Sequence, residues 1–193
     1  MKKLVFINGC IRGKDSRTLS VAAPLLEALA QRYEIQTIDL TNTSLAPINT
    51  ASYLQRGTAG LSPADREAGM IVANADRLVI AAPFWDMSFP SALKVFFEHI
   101  SAADLTFVNL DDGNTKGNCA AEKMLYITTR GMEIPTGDFR DQGSSYLKAL
   151  GWLWGIPTVQ TVAAYGMDVV DEQTRMKRLE DAVLEGLRIC EDF

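Results

Sequence analysis

The chain alternates between two periodicities of apolar residues, one typical of β-strands and the other of amphipathic helices. Strands are predicted at residues 3–8, 35–39, 77–82, 123–128 and 158–164. The third is apolar on both faces, as expected of a central parallel strand that helices cover on both sides. Because parallel crossovers are right-handed, these five strand and helix units predict an α/β fold with a doubly wound five-stranded parallel sheet, ordered 2-1-3-4-5.

Start signals mark the helices between these strands. The first helix is predicted at residues 17–32, with Asp15 or Ser16 as its N-cap. The second begins at residues 62–65, where a capping-box pattern includes proline at the first helical position, and it continues to about residue 74. Further helices are predicted to follow Pro90, Gln142 and Val170. The connections 41–60 and 111–121 are predicted to be long and irregular, which is typical of active-site rims.

Size and charge exclude several classes of protein. With 193 residues and 47% hydrophobic content, the chain can bury one substantial core, so a single domain over residues 1–193 is predicted. The net charge of −5 and the lack of a Lys/Arg cluster argue against a nucleic-acid partner. The apolar stretch at residues 4–7 is too short for a signal peptide or a membrane span, so a cytoplasmic protein is expected.

Cysteine and histidine usage argues against a metal centre. Cys10, Cys119 and Cys190 are far apart and lack CxxC spacing, so neither a disulfide framework nor a zinc site is predicted, and a reducing compartment fits. The single histidine, His99, falls among apolar and aromatic helix positions, which favours a structural role. Trp152 and Trp154 are interpreted as packing residues at a helix end, although one of them could reach a partner's pocket.

The turn after the first strand, residues 9–18, combines small, hydroxyl and basic residues where a helix begins. Free backbone N–H groups and the positive end of the helix dipole attract an anion at such a place. Ser16 and Thr18 can add hydroxyl groups, and Arg17 a guanidinium. A phosphate site is one interpretation. The other is that Ser16 only caps the helix while Lys14 and Arg17 are solvated.

Two further loops follow the third and fourth strands. In residues 82–94, aromatic residues lie between Pro83 and Pro90, which gives a stiff, flat apolar surface suited to a planar ring. In residues 128–133, Gly131 permits close approach of the backbone to a ring, although an ordinary turn is the better interpretation of this segment alone. Together, the three loops at the carboxyl ends of strands 1, 3 and 4 suit a flavin mononucleotide (FMN).

Residues 16–20, 83–94 and 129–131 resemble the FMN-dependent NADH-azoreductase and NAD(P)H quinone-reductase family. The resemblance extends over nearly the whole chain, including residues 105–107, 112–117 and 164–166. It implies a flavodoxin-like fold and a homodimer with FMN at the subunit interface. It also implies transfer of two electrons from NADH or NADPH to quinones and azo compounds, for which ping-pong kinetics are expected.

The resemblance also implies roles for individual residues. The FMN phosphate would be bound by Ser16, Arg17 and Thr18, with Cys10 where relatives commonly have a small hydroxyl residue. The isoalloxazine ring would be lined by Pro83, Phe84, Trp85, Asp86 and Met87. The third flavin loop would comprise Thr129, Arg130 and Gly131, of which the Arg130 side chain and the Gly131 N–H are candidates for stabilising negative charge on the reduced ring.

Three positions depart from the family pattern and leave alternatives open. Asp86 stands where relatives usually have Asn, and a carboxylate near the flavin would disfavour the anionic reduced ring unless it is protonated or turned away. Met132 stands where a second glycine is frequent. With Cys10, these departures keep open a flavodoxin-like binding module that has lost flavin. A non-catalytic FMN electron carrier is the other alternative, although the first loop lacks the composition of true flavodoxins.

Overall fold

A computed structural model describes residues 1–193, apart from the side chain of Thr58. Its strands, in chain order, are β1 Lys2–Asn8, β2 Tyr33–Asp39, β3 Arg77–Ala81, β4 Phe107–Asn109, β5 Thr115–Gly117, β6 Lys123–Thr129 and β7 Thr158–Ala164. Five of them form a parallel sheet in the order β2-β1-β3-β6-β7. This order confirms the one predicted from the sequence, because β4 and β5 pair only with each other.

The helices are α1 Arg17–Ala30, α2 Thr50–Ala59, α3 Pro63–Ala73, α4 Ser91–Ile100, α5 Gln142–Trp154 and α6 Glu172–Glu191. Apart from α2, which the sequence did not predict, the helices begin within about two residues of their start signals. Ser16 caps α1 and Ser62 caps α3, and each side chain accepts a backbone N–H three residues on. The carboxylate of Asp65 does not complete a capping box with Ser62; it lies 2.9 Å from Nδ1 of His99.

Two separate apolar clusters cover the faces of the sheet. On one face, Leu78 and Ile80 of β3 pack in a cluster that includes side chains of α3, α4 and α5. On the other face, Val79 and Ala81 of the same strand pack in a cluster that includes side chains of α1 and α6. Every residue of β3 is buried, as predicted for a central parallel strand.

The register of the central strands brings three loops to one edge of the sheet. Asn8 of β1 pairs with Ala81 of β3, and Ala81 pairs with Ile127 of β6. The backbone then continues the pairing beyond β3, because the N–H of Phe84 donates to the carbonyl of Thr129 at 3.1 Å. The segments that follow β1, β3 and β6 therefore start side by side.

The expectation that both long connections are irregular is wrong. Residues 41–60 contain α2, which has a full capping box between Asn49 and Ser52. Arg56 ties α2 to the end of α4 by donating to the carbonyls of Glu98 and His99. Residues 111–121 contain β5, which lies against the end of α5. A Cβ on Gly117 would come within 2.0 Å of the backbone nitrogen of Gly155.

Three side chains singled out in the sequence have clear surroundings. His99 is a bridging residue, with Nδ1 at 2.9 Å from Asp65 and Nε2 at 2.9 Å from the carbonyl oxygen of Ala46. Trp154 is fully buried and donates to Ser101, as expected of a packing residue. Trp152 is 75% exposed, so its interpretation as a packing residue is wrong. In the part of the chain that the structure describes, every helix is too short or too polar to span a bilayer.

Candidate functional site

The first loop leads into α1 with unused backbone donors. A short 3-10 turn at Gly13–Asp15 precedes Ser16, whose Oγ accepts from the N–H of Leu19 at 3.3 Å. Among the described residues, the N–H groups of Arg17 and Thr18 donate no hydrogen bond. Unpaired N–H groups in the first turn of a helix favour an anion. The cap and the anion site are therefore compatible, and Ser16 serves both as N-cap and as a wall of the site.

Cys10 belongs to the interior and not to this anion site. Its side chain is fully buried, and its Sγ donates to the carbonyl of Ala81 at 3.4 Å. Burial raises the pKa of the Cys10 thiol to about 11; a hydrogen bond with Ser16 opposes the shift, and the charge of Asp39 adds to it. Cys10 is thus a neutral thiol beneath the loop. Its side chain points to the carbonyl of Ala81 and not toward the predicted phosphate.

The second loop is a tight reversal built on left-handed residues. The backbone groups of Trp85 and Ser88 exchange hydrogen bonds of 3.1 and 2.8 Å, and between them Asp86 and Met87 have φ values of 47° and 62°. Two successive positive φ values are typical of a type I′ turn. Phe84 is buried below the turn, whereas Trp85 is 45% exposed. The indole therefore faces solvent at the sheet edge, and Asp86 and Met87 form the exposed tip.

The third loop holds a buried arginine. The side chain of Arg130 is fully buried, with Nη1 donating to the carbonyl of Ile134 at 2.9 Å and Nη2 to Oδ2 of Asp141 at 2.9 Å. Its guanidinium also lies 5.3 Å from the ring centroid of Phe84. Arg130 therefore braces the second loop, the third loop and the start of α5, and its charge is directed at Asp141.

Gly131 differs from its neighbour because its N–H has no partner among the described groups. Its carbonyl accepts from the N–H of Asp168 at 3.0 Å. The carboxylate of Asp168 lies so close that a Cβ on Gly131 would come within 2.2 Å of Oδ2. The same carboxylate forms an ion pair with Arg17, at 2.7 Å from Nη1. Asp168 therefore spans the gap between the third loop and α1.

These loops enclose a crevice of about 100 Å³ at the carboxyl edge of the sheet. Its lining residues are Arg12, Ser16, Arg17, Thr18, Pro83, Phe84, Trp85, Thr129, Arg130, Gly131, Met167 and Asp168. A hydrogen bond of 2.7 Å between the hydroxyls of Thr18 and Thr129 closes its floor and joins the first loop to the third. Polar donors, an aromatic face and a glycine thus meet in one place.

Comparison with known proteins identifies the family to which the chain belongs. A family described as having the flavodoxin-like fold matches residues 2–186. The chain is a member of this flavodoxin-like family. A curated relative, FMN-dependent NADH:quinone oxidoreductase 2 of Clostridium acetobutylicum, is 28% identical, and the match covers 89% of this chain and 90% of the relative.

Solved structures share the flavodoxin-like architecture. An azoreductase from Bacillus anthracis has a TM-score of 0.85 at 15% identity, with all of both chains covered. An FMN-dependent NADH-azoreductase from Bacillus anthracis, solved in complex with FMN, has a TM-score of 0.80 at 22% identity, covering 98% of this chain and 100% of the other. At these identities the likeness shows the fold.

Within this flavodoxin-like chain, the crevice collects most of the residues predicted from the sequence. Ser16, Arg17 and Thr18 meet the second and third loops there, whereas Cys10 lies beneath it and the tip formed by Asp86 and Met87 stands outside its lining. The sequence analysis missed Arg12, Met167 and Asp168. The last two follow β7, the neighbour of β6. Since parallel strands end at the same edge, the loop after the fifth predicted strand was the signal that could have found them.

Proposed function

We propose that the chain is an FMN-dependent NAD(P)H oxidoreductase that passes two electrons to quinones and azo compounds. The observation that carries this proposal is the convergence of unpaired N–H groups on α1 and the third loop with the exposed indole of Trp85. This donor set matches a ligand with an anion at one end and a planar ring at the other. The names of the curated relative and of the FMN-bound structure support the same assignment.

The phosphate end of the cofactor would be bound at the start of α1. The N–H groups of Arg17 and Thr18 would donate to it, and the Arg17 side chain, which is 34% exposed, can turn its guanidinium toward it. Ser16 would contribute through the loop geometry that its cap maintains. The hydroxyl of Thr18 would hold Thr129 in place, because the two are hydrogen-bonded to each other.

The ring would be bound by the second and third loops. Pro83 and Phe84 set the direction of the second loop, and the indole of Trp85 offers an exposed aromatic face. Asp86 and Met87 would meet the ring through the turn backbone, since their left-handed geometry sets that path. When bound, the flavin supplies hydride and two-electron chemistry, so no acid, base or nucleophile of the chain is required.

In this proposal, Gly131 and Arg130 act differently. The unpaired N–H of Gly131 is a preorganised donor for negative charge on the ring edge. The guanidinium of Arg130 is hydrogen-bonded to the Asp141 carboxylate and the Ile134 carbonyl. Arg130 is therefore a positioning residue that holds the neighbouring Gly131 in place. Of the two candidates inferred from the sequence, this proposal keeps the Gly131 N–H as the donor and gives the Arg130 side chain a positioning role.

We also propose a homodimer in which a second copy completes the flavin site. The crevice of one chain holds about 100 Å³, whereas ligand pockets usually enclose at least about 300 Å³. Exposed Trp85 lines the crevice and exposed Met132 follows the lining residue Gly131, so both provide apolar surface for a partner. Residues 1–193 would act as a single domain in the cytoplasm.

An anaerobic visible spectrum tests the proposed activity. The purified protein is loaded with FMN, NADH and NADPH are added to separate samples, and a quinone follows. Bleaching of the flavin by either nucleotide and its recovery with quinone are expected, and separate half-reactions of this kind would also support ping-pong kinetics. Bound flavin that neither nucleotide reduces would replace the proposal with an electron carrier, and failure to bind FMN would favour the binding module.

A further inference from the structure

The Arg17–Asp168 ion pair places a carboxylate of the protein beside the proposed phosphate site. The contact joins Nη1 of Arg17 to Oδ1 of Asp168 at 2.7 Å. These residues are 151 positions apart, on α1 and on the segment after β7. The other two arginines in the lining do not pair with Asp168. Arg130 is paired with Asp141, and Arg12 has no ion pair among the described residues.

Asp168 is held in this position by its backbone while its carboxylate stays accessible. Its N–H donates to the carbonyl of Gly131 at 3.0 Å, which fixes the main chain next to the third loop. The side chain is 65% exposed. An exposed carboxylate on a fixed backbone can change rotamer when another anion competes for its arginine, since such a pair adds little stability.

We propose that Asp168 is a resident anion that occupies Arg17 and lowers the affinity of the crevice for the phosphate end of its ligand. The proposal rests on the proposed binding of FMN. A phosphate monoester carries a charge of about −1.5 to −2 at neutral pH. It therefore repels the carboxylate, and it gains the full use of Arg17 only after Asp168 withdraws.

The alternative is that Asp168 orients Arg17 toward the phosphate. Two features of the contact favour competition. The Asp168 carboxylate lies against Gly131 as well as Arg17, so it stands inside the crevice and not behind the arginine. The N–H groups of Arg17 and Thr18 already provide a fixed anion site without help from the arginine side chain.

Riboflavin separates the two ends of the ligand, because it carries the same ring without the phosphate. FMN and riboflavin are titrated into the apoprotein, and the quenching of flavin fluorescence gives each dissociation constant. Asp168→Asn is compared with wild type and with Asp111→Asn, which removes the same charge from an exposed loop outside the crevice. Circular dichroism confirms that each variant is folded, and Asp168→Ala provides a second removal of the charge.

Asp168→Asn and Asp168→Ala are expected to bind FMN about two- to tenfold more tightly than wild type, with riboflavin affinity changed by less than about twofold. Asp111→Asn is expected to match wild type. The increase in FMN affinity caused by the Asp168 substitutions should be smaller when Arg17 is also replaced by alanine, since the competition acts through Arg17. Unchanged or weaker FMN binding by both Asp168 variants, or an equal gain in riboflavin affinity, would overturn the inference. FMN binding by wild type would still support the proposed cofactor, and reduction of the bound flavin by NADH or NADPH tests the proposed activity separately. If neither wild type nor these variants binds FMN, both fail.

Discussion

The guanidinium of Arg130 and the carboxylate of Asp141 form an ion pair in which neither side chain is accessible to solvent. Nη2 and Oδ2 are 2.9 Å apart, and the other carboxylate oxygen of Asp141 accepts the N–H of Ser144 as the N-cap of α5. One pair thus connects the third loop of the crevice to the start of a core helix. The geometry of Gly131 depends on it.

Removal of Asp141 is expected to destabilise the fold strongly. Asp141→Ala leaves the Arg130 charge buried without a partner, which costs about 3–5 kcal/mol in the free energy of unfolding. Urea unfolding followed by circular dichroism measures the loss. Asp138→Asn, which breaks the half-buried pair with Arg140, is the contrast and should cost less than Asp141→Ala, because the Arg140 side chain stays accessible to water. Equal midpoints for wild type and Asp141→Ala would contradict this account.

The second loop stores backbone strain at Met87, whose φ is 62°. Met87→Gly is expected to stabilise the protein by up to about 1 kcal/mol. Glycine removes the conformational cost of the left-handed backbone, and this gain exceeds the stability lost through the larger entropy of glycine in the unfolded chain. Met176→Gly serves as the contrast, since this half-exposed position lies inside α6. There, glycine should destabilise by about 1 kcal/mol. Thermal melts measure the stability of both variants. A lower melting temperature for Met87→Gly than for wild type would show that the turn is not strained.

The hydrogen bond between Thr18 and Thr129 should couple the two loops energetically. Thr18→Val and Thr129→Val are each expected to cost about 1 kcal/mol, because each leaves one hydroxyl in the floor of the crevice without its partner. The double variant should lose less than the sum of the single losses. Urea unfolding of the four proteins forms the cycle. Strictly additive losses would mean that the two hydroxyls act independently.

The strand pattern was predictable from the sequence because burial on both faces imposes a simple rule on β1, β3 and β6. Residues such as Leu78 and Ile80 must be apolar whichever helix covers them. Right-handed crossovers then left few sheet orders, and the observed order agrees. Helix α2 was missed because none of its described residues is buried, and the cap at Asn49 and the anchoring by Arg56 come from local and tertiary hydrogen bonds.

The direction of side chains in the crevice was harder to predict. Arg130 looked like a charged residue at a loop tip, but its partner Asp141 lies eleven residues later and pulls the guanidinium inward. Cys10 follows a buried strand and continues into the core by bonding to Ala81. Asp168 enters through a fourth loop, and its pairing with Arg17 depends on the assembled sheet. Tertiary contacts of this kind leave no periodic signal.

Alkaline pH should destabilise the protein through its buried thiols. Burial raises the pKa of Cys10 and of Cys190 to about 11 and that of Cys119 to about 12, against an ordinary value of 9.0. The folded state keeps these protons more tightly than the unfolded state, so stability is full below about pH 9 and is lost as pH rises through about 11. The free energy of unfolding should therefore fall between about pH 8 and pH 10.5.

Cysteine variants show which groups cause this loss. In Cys119→Ala, the decrease between the two pH values should be smaller than in wild type, whatever the stability of the variant at the lower pH. Cys190→Ala should behave in the same way. A decrease that is unchanged in both variants would assign the alkaline loss to other groups, such as Tyr126, whose pKa burial also raises.

The crystal structure of the protein with FMN tests the central claim most directly. The account predicts the phosphate at the start of α1, accepting the N–H groups of Arg17 and Thr18, with the ring against Trp85 and the N–H of Gly131. Flavin bound with its phosphate away from α1, or bound at another surface of the chain, would contradict it.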